Sequence, residues 1–354
     1  MARVLITRIS SFGDVAMLVP VVFSVAARYP QDRFIVLTRK AFAPLFENLG
    51  FNINAVTIDV NNHHKGFWGI FRLLRSVTRY KYTHVADVHD VLRTKIIRFY
   101  MSILGKQVAH IDKGRAEKKQ MIDSKVVNPP LIPTTERYME VLEDLGFPAE
   151  MVFTNYFELK ERSLYPLRAI VTEKKGHWIG IAPFSKHAEK VYPLDKMENV
   201  VAKLSQQLDT TLFLFGSGPE ERALMEKWAA TYSNIIAVSG KLNLENELLL
   251  MSYLDLMISM DSANMHLASL VEVPVISIWG ATHPHLGFYG FGQDPNNAIL
   301  SDIECNPCSV FGQVPCYRGD IACLNSISEE RILKKVDEVL YSRRRIDNTD
   351  EVEQ

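Results

Sequence analysis

Cysteine is scarce and oddly placed: the 354 residues contain four, all between Cys305 and Cys323. There is no run of 18 apolar residues, so no segment reads as a membrane-spanning helix. Neither a Gly-x-Gly-x-x-Gly fingerprint nor a Walker loop occurs, which removes the two commonest glycine-rich phosphate cradles. No RNA- or DNA-binding signature is present, so nucleic acid is not an expected partner.

What is present is ordinary for a globular protein. The chain is 47% hydrophobic and 23% charged with a formal net charge of −1, and is long enough for two domains. The near-neutral total conceals an asymmetry. Residues 1–120 hold 19 Lys+Arg against 8 Asp+Glu, whereas the remainder holds 21 against 33. A first half at +11 suits an anionic partner such as a phosphorylated glycolipid or an anionic membrane surface; solvated helix faces are the plain alternative. Arg3 and Arg8 precede an apolar stretch, Val15 to Ala27, that could pass for a signal peptide. Asp14 and Pro20 interrupt it, and it is read instead as the first helix after a strand at Val4–Ile9.

The four cysteines follow C-x2-C-x7-C-x6-C: Cys305, Cys308, Cys316 and Cys323. Without a secretion signal, disulfides are disfavoured. The cluster allows a structural Zn site, with reduced thiols packing a loop as the alternative.

Strand and helix alternate along both halves. The first half offers strands at Val4–Ile9, Arg33–Leu37, Ala55–Asp59, Thr83–Asp87 and Gln107–Ile111. Helices fill the gaps at Val15–Arg28, Phe42–Leu49, Phe67–Arg79 and Val91–Leu104. Residues 112–170 break the rhythm with a basic loop (Lys113, Arg115, Lys118, Lys119), proline punctuation and one helix, Thr135–Leu145. The second half repeats the alternation, with strands at Trp178–Ala182, Thr211–Phe215, Ile235–Val238, Leu254–Ile258 and Pro274–Trp279. Its helices are Lys196–Gln207, Glu220–Thr231, Leu244–Met251, Ala263–Val271 and Ser328–Tyr341. Two α/β domains are expected, at 1–170 and 171–342, followed by a polar tail at 343–354.

The chemistry-bearing stretch is Met260-Asp261-Ser262-Ala263-Asn264-Met265-His266-Leu267-Ala268, between two apolar strands. A side-chain oxygen of Asp261 or Ser262 can cap the helix that opens there, and the other first-turn N–H groups form a site for an anion such as a diphosphate. His266, about one turn in, could donate to phosphate or satisfy a helix–strand contact. In the first half, Asp14 follows Ser10-Ser11-Phe12-Gly13 at the end of a strand. It could accept a proton from an attacking hydroxyl or simply cap the helix at Val15. Asp87-Val88-His89-Asp90 with Arg93 ends the fourth strand, as part of a site or as capping and ion pairing. The pairs His63-His64 and His283/His285 lack carboxylates at ligand spacing and read as exposed, flexible histidines.

These motifs resemble those of glycosyltransferase family 9, which includes the ADP-heptose:lipopolysaccharide heptosyltransferases. The donor stretch is similar to the family's Asp-Ser/Thr-Gly-Pro-Met-His-Leu-Ala, with Ala263-Asn264 in place of Gly-Pro. Arg8 to Asp14 resembles the N-terminal loop, and Lys190-Val191-Tyr192-Pro193 resembles Lys-x-Trp-Pro with Tyr for Trp. Gly216-Ser217-Gly218-Pro219-Glu220 and Ser239-Gly240-Lys241 resemble the family's later turns, so the likeness spans nearly the whole chain.

The resemblance implies a GT-B fold, two Rossmann-like domains facing a central cleft, with the acceptor side in the first and the nucleotide-sugar in the second. It implies an inverting transferase that moves a sugar, heptose foremost, from an ADP-sugar to an anionic lipopolysaccharide core acceptor. Asp14 is then the general base, and Lys190 steadies the leaving diphosphate. Asp261, Ser262, Ala263 and His266 bind the donor. Ser10, Ser11, Gly13, Asp87, Arg93, Lys113 and Arg115 meet the acceptor. No metal or other cofactor is expected to be required, because no Asp-x-Asp triplet lies near these motifs. The expected location is the cytoplasm, with peripheral attachment to the inner-membrane surface. Transfer of another nucleotide-sugar, epimerisation on the same fold, a nonenzymatic nucleotide-sugar or glycolipid binder, and a Zn-stabilised interaction module are the competing readings.

Overall fold

The computed structural model describes residues 1–350, apart from the side chains of Phe67 and of residues 343–350. The chain divides into two compact units. The first comprises Met1–Arg115 and Ile132–Leu159; the second comprises Ala116–Leu131 and the chain from Lys160 onward. Residues 116–131 and 160–170, read from sequence with the first domain, therefore pack with the second unit.

The first unit is built on five parallel strands: β1 (Arg3–Thr7), β2 (Arg33–Arg39), β3 (Ile53–Ile58), β4 (His84–Asp87) and β5 (Gln107–His110). Their order is β3-β2-β1-β4-β5. β1 is buried at four of its five positions, as a central parallel strand covered on both faces requires. On one face lie α1 (Phe12–Arg28), packed on β2 and β3, and α5 (Thr134–Asp144), packed on β4 and β5. On the other face α2 (Gly66–Arg79) and α3 (Leu92–Ile103) bury Leu73, Val77, Ile97 and Met101 against Leu5, Ile35 and Leu37.

The second unit has six parallel strands: β6 (His177–Ala182), β7 (Thr210–Leu214), β8 (Ile235–Ala237), β9 (Leu256–Met260), β10 (Val275–Ile278) and β11 (Ala298–Ile299). Their order is β11-β10-β9-β6-β7-β8. α6 (Leu194–Ser205), α7 (Pro219–Thr231) and α11 (Glu329–Asp350) supply Val200, Trp228 and Val336 to a core with Ile179, Leu212 and Ile258. α8 (Leu244–Met251) packs on α9 (Ala263–Leu270), which covers β9 and β10. α4 (Arg115–Ser124) and α10 (Ala322–Asn325) complete the helices.

In both sheets the strand order reverses beside the first strand of the unit, between β1 and β4 and between β6 and β9. The crevice beyond the carboxyl ends of the strands at such a point is where open α/β sheets bind ligands.

Three segments differ from their sequence reading. Phe42–Leu49 forms only a 3-10 turn at Ala43–Leu45, a segment too short to sustain a helix by itself. The basic loop of Lys113 and Arg115 is a turn followed by helix. Gly114 adopts φ +60°, its N–H donates to Asp112 Oδ1 at 2.9 Å, and α4 then begins at Arg115. The segment read as a polar tail from 343 continues α11 to Asp350, and its last four residues, 351–354, lie outside the described residues.

Candidate active site

In the first unit the loop after β1 and the loop after β4 build one polar cluster. Ser11 is the N-cap of α1, so Asp14 occupies the third helical position and not the cap foreseen as its alternative role. The Asp14 carboxylate reaches back to the cap. Its Oδ2 accepts from the Ser11 N–H at 3.0 Å and the Ser11 hydroxyl at 2.7 Å, and pairs with Arg8 Nη2 at 2.5 Å. All of these contacts fall on Oδ2, while the side chain stays 27% exposed. Oδ1 takes part in none of these contacts. Burial alone would push this carboxyl upward; the Arg8 charge and the two Ser11 donors outweigh it and hold it at about 2.

Arg8 is itself fixed. Its Nη1 donates to the Val88 carbonyl at 2.7 Å, and its guanidinium stands 5.8 Å from the Tyr138 ring centroid. The Tyr138 hydroxyl donates to the Asp14 carbonyl at 3.3 Å. His89, from the β4 loop, is buried behind the β1 loop. Its Nδ1 accepts from the Ile9 N–H at 3.4 Å, which leaves Nε2 to donate to Ser10 Oγ at 3.4 Å. Burial first, then Arg8 and Lys113, pushes this imidazole down to about 3, so it is neutral at physiological pH.

Asp87 is fully buried and spent on the loop. Oδ1 accepts from Thr7 Oγ1 and from the His89 and Asp90 N–H groups, and Oδ2 pairs with Arg98 at 3.3 Å. A carboxylate so occupied shapes the site and has little left to offer an acceptor. Asp90, at φ +45°, draws in Lys95, Arg98 and Arg115 at 3.5, 3.4 and 3.3 Å. Lys113 lies close enough to Arg8, Arg115, Asp90 and Asp14 to feel their charges, with burial the main cause of its downward shift. Arg93 Nη1 and Arg39 Nε are buried with no hydrogen-bond partner among the described residues. The expected acceptor residues Ser10, Ser11, Gly13, Lys113 and Arg115 thus gather around Asp14 and Arg8, in a field that is mainly cationic. The sequence motifs include Arg8 and His89 but give neither a role of its own. The signal for Arg8 was its place in the Asp14 loop; the signal for His89 was an uncommon residue between two aspartates.

In the second unit the matching crevice holds a second ion pair. Lys190 ends the 3-10 turn Ala188–Lys190, and its Nζ stands 2.8 Å from Asp261 Oδ2, both side chains being nearly buried. The same oxygen accepts from Thr282 Oγ1 at 2.7 Å, and the Asp261 carbonyl accepts from Ser185 Oγ at 3.0 Å. Asp261 therefore ties together the chain ends after β6, β9 and β10. It does not cap α9; Ser262 does, in extended conformation. The Ser262 hydroxyl contacts Ser259 Oγ at 3.2 Å and makes no side-chain cap hydrogen bond. The N–H groups at the head of α9, from Ala263 on, are left for an anion. His266 is buried one turn further in. Lys190 carries three donors and can keep Asp261 while donating to an incoming phosphate.

Tyr192, which stands for Trp in the Lys-x-Trp-Pro motif, is a core residue: it is fully buried, and its hydroxyl donates to the Ile327 carbonyl at 2.9 Å. Gly312 is the unforeseen member. At φ +77° it lies against the stem of Lys190, and a Cβ there would stand 2.5 Å from Cδ and 2.6 Å from Cγ. The loop carrying Gly312 is the cysteine loop, anchored where the Cys308 and Ser309 N–H groups donate to the Ala281 carbonyl at 3.0 Å.

The four thiols are free, and burial raises Cys308 and pushes Cys323 up to about 11. Among the described residues no three His, Cys, Asp or Glu side chains are arranged to hold a metal ion. His63 is exposed, as read from sequence, whereas His64, His283 and His285 are half-buried. His64 Nδ1 accepts from the Asp59 N–H at 3.2 Å, and His283, which burial holds at about 4, accepts from the His285 N–H at 3.1 Å.

Comparison with known proteins bears on this arrangement. The lipopolysaccharide core heptosyltransferase OpsX of Haemophilus influenzae is 23% identical over 313 residues, covering 87% of this chain and 86% of that protein. A glycosyltransferase family 9 structure from Veillonella parvula superposes with a TM-score of 0.72 at 18% identity, covering 96% of this chain and 98% of that one. The Escherichia coli heptosyltransferase WaaC with ADP gives a TM-score of 0.67 at 17% identity, covering 95% and 99%. The model of glycosyltransferase family 9 (heptosyltransferase) matches residues 70–314, and with two parallel sheets each carrying polar residues at its switch point, this chain belongs to that family and is a glycosyltransferase.

Proposed function

We propose that the chain transfers a heptosyl group from ADP-heptose to an anionic lipopolysaccharide core acceptor, with inversion, in a single displacement. The observation that carries this reading is the Asp14 carboxylate: ionised, held through Oδ2 by Arg8 and Ser11, with Oδ1 outside those contacts and the side chain still partly exposed. In the displacement the acceptor oxygen attacks the anomeric carbon, the bond from that carbon to the diphosphate oxygen breaks, and the hydroxyl proton passes to Asp14 Oδ1. A carboxyl held at about 2 is a feeble base toward a resting alcohol. It takes the proton late, once the new C–O bond has made the hydroxyl strongly acidic.

Lys190 and the N–H groups at the head of α9 meet the negative charge growing on the leaving ADP, as fixed donors that need no reorganisation. Arg93, Arg39, Lys113 and Arg115 suit phosphate or carboxylate groups of the acceptor core. The relatives' heptosyltransferase names and the ADP bound to WaaC support the choice of donor. Among the described residues no helix is long and apolar enough to cross a membrane, and the glycolipid acceptor calls for peripheral attachment at the cytoplasmic face of the inner membrane.

The test pairs binding with turnover. ADP-heptose should raise the thermal midpoint of both the wild type and Asp14→Asn by mass action. Asp14→Asn should lose about 10²–10⁴-fold in kcat, the range general-base catalysis supplies. Turnover near the wild-type rate in Asp14→Asn would remove the base, and stabilisation by UDP- or GDP-sugars alone would discard heptose.

A further inference from the structure

The outward side of α2 and α3 is unlike the rest of the surface. Trp68 and Phe71 on α2 are 72% and 58% exposed, and Leu92, Phe99 and Ile103 on α3 are 76%, 67% and 66% exposed. The same two helices pack on each other and bury Leu73, Val77, Ile97 and Met101 inward. Their exposed apolar side chains are therefore additional to a core contribution already made.

The charge around them has one sign. Trp68, Arg72, Arg75 and Arg79 recur at spacings of four, three and four, which puts them on one face of the helix. Lys65 precedes that helix, and Lys95 lies on the exposed side of α3. Between Asp59 and Asp112 the sequence has only two acidic residues, Asp87 and Asp90. Both are buried; Asp90 engages Lys95 as well as Arg98 and Arg115, and neither reaches Arg72, Arg75 or Arg79 with an ion pair among the described residues.

We infer that the outer face of α2 and α3 is a docking surface for an anionic lipid bilayer. Trp68 and Phe71 enter the boundary between headgroups and acyl chains, while Arg72, Arg75 and Arg79 stay among the lipid phosphates. An aromatic and basic amphipathic helix lying in the interface plane binds in this way. A second copy of the chain fits this face poorly, since two such faces would bring like charges together. The inference builds on the peripheral attachment proposed above, but its test is separate from the transfer reaction.

Trp68 also provides the signal. Trp178, Trp228 and Trp279 are 2%, 0% and 0% exposed, so a change in tryptophan emission on adding vesicles reports on Trp68. The full chain is mixed with vesicles of phosphatidylethanolamine and phosphatidylglycerol, and separately with phosphatidylcholine vesicles. Co-sedimentation and a blue shift are expected with the anionic vesicles only, weakened by salt. Arg72→Gln/Arg75→Gln/Arg79→Gln should weaken partitioning about 100-fold, at roughly fivefold per cation. Trp68→Ser/Phe71→Ser should also release the protein, whereas Trp68→Phe should keep binding and lose the spectral shift. All variants should transfer sugar to a soluble, deacylated acceptor at the wild-type rate. No co-sedimentation, or co-sedimentation indifferent to these substitutions, would overturn the inference, as would self-association in solution that the same substitutions abolish. Vesicle binding that persists while no heptose is transferred would leave this surface standing and sink the reaction.

Discussion

Both units place an ion pair at the switch point of a parallel sheet, yet the pairs are built the opposite way round. In Arg8–Asp14 the cation is buried, pinned by Val88 and stacked near Tyr138, and the carboxylate is the more exposed partner. In Lys190–Asp261 the carboxylate is the pinned member, held by Thr282 within three chain ends, and the ammonium keeps spare donors. One pair presents a negative oxygen and the other a positive nitrogen. An aspartate at a strand end can thus be the enclosed member of its ion pair or the more exposed one, and its partners decide which. Asp87, with every oxygen engaged, is a further enclosed one.

Substitutions that remove the presented group should cost most. Lys190→Met should lower kcat about 10²–10³-fold, as removal of a preorganised charge-stabilising donor does elsewhere. ADP binding measured by calorimetry should weaken too. A kcat within a few-fold of wild type would place the diphosphate elsewhere.

Arg8→Gln removes the pinning member and should change the shape of the pH profile. In the wild type Asp14 stays ionised until pH falls to about 2, so it contributes no acid limb to kcat/KM above pH 4. Without Arg8, burial becomes the dominant influence and the carboxyl rises above its ordinary value, bringing an acid limb into the accessible range. Stability follows the same sign. The depressed carboxyl stabilises the fold above its unfolded pKa and loses this as pH falls through about 2. In Arg8→Gln that contribution is absent at neutral pH. An unchanged profile in this variant would mean that the pair does not tune Asp14.

Gly312→Ala tests the Lys190–Asp261 pair. Its methyl would press on the Lys190 stem, and a residue with a side chain is strained at φ +77° by about 1 kcal/mol. A roughly tenfold fall in kcat is expected, because small misplacements of a charge-stabilising group are costly. Steady-state kinetics beside a melting curve separates the two effects; a lowered melting point with unchanged kcat would show that the loop does not position Lys190. Tyr192→Phe should have the smallest effect, about 1 kcal/mol of stability from the hydrogen bond to Ile327, with kinetics unchanged. A shift in KM for the donor would give Tyr192 a part in the site beyond its place in the core.

The strands were legible because parallel strands buried on both faces read as short apolar runs, as at Val4–Ile9 and Leu254–Ile258. β11 was not, since two paired residues leave no pattern. Asp14 and Lys190 could be picked out from their motifs, but what each is doing could not. Asp261 was read as a cap or a sugar ligand, because nothing local connects it to Lys190, 71 positions away. Arg8 was given no role of its own because its fixing depends on Val88 and Tyr138, far along the chain. Gly312 had no signal at all: a glycine in a loop shows its purpose only once the neighbour it must clear is known.

The path of the chain between the two units constrains how such a protein can be recombined. The backbone enters the second unit at Ala116, returns to the first at Ile132, and leaves again at Lys160. Joining the front of one relative to the back of another at a single midpoint crossover would graft α4 from one parent onto the sheet of the other. A hybrid that exchanges the donor half cleanly therefore needs three junctions, with residues 116–131 travelling alongside the segment that follows Leu159.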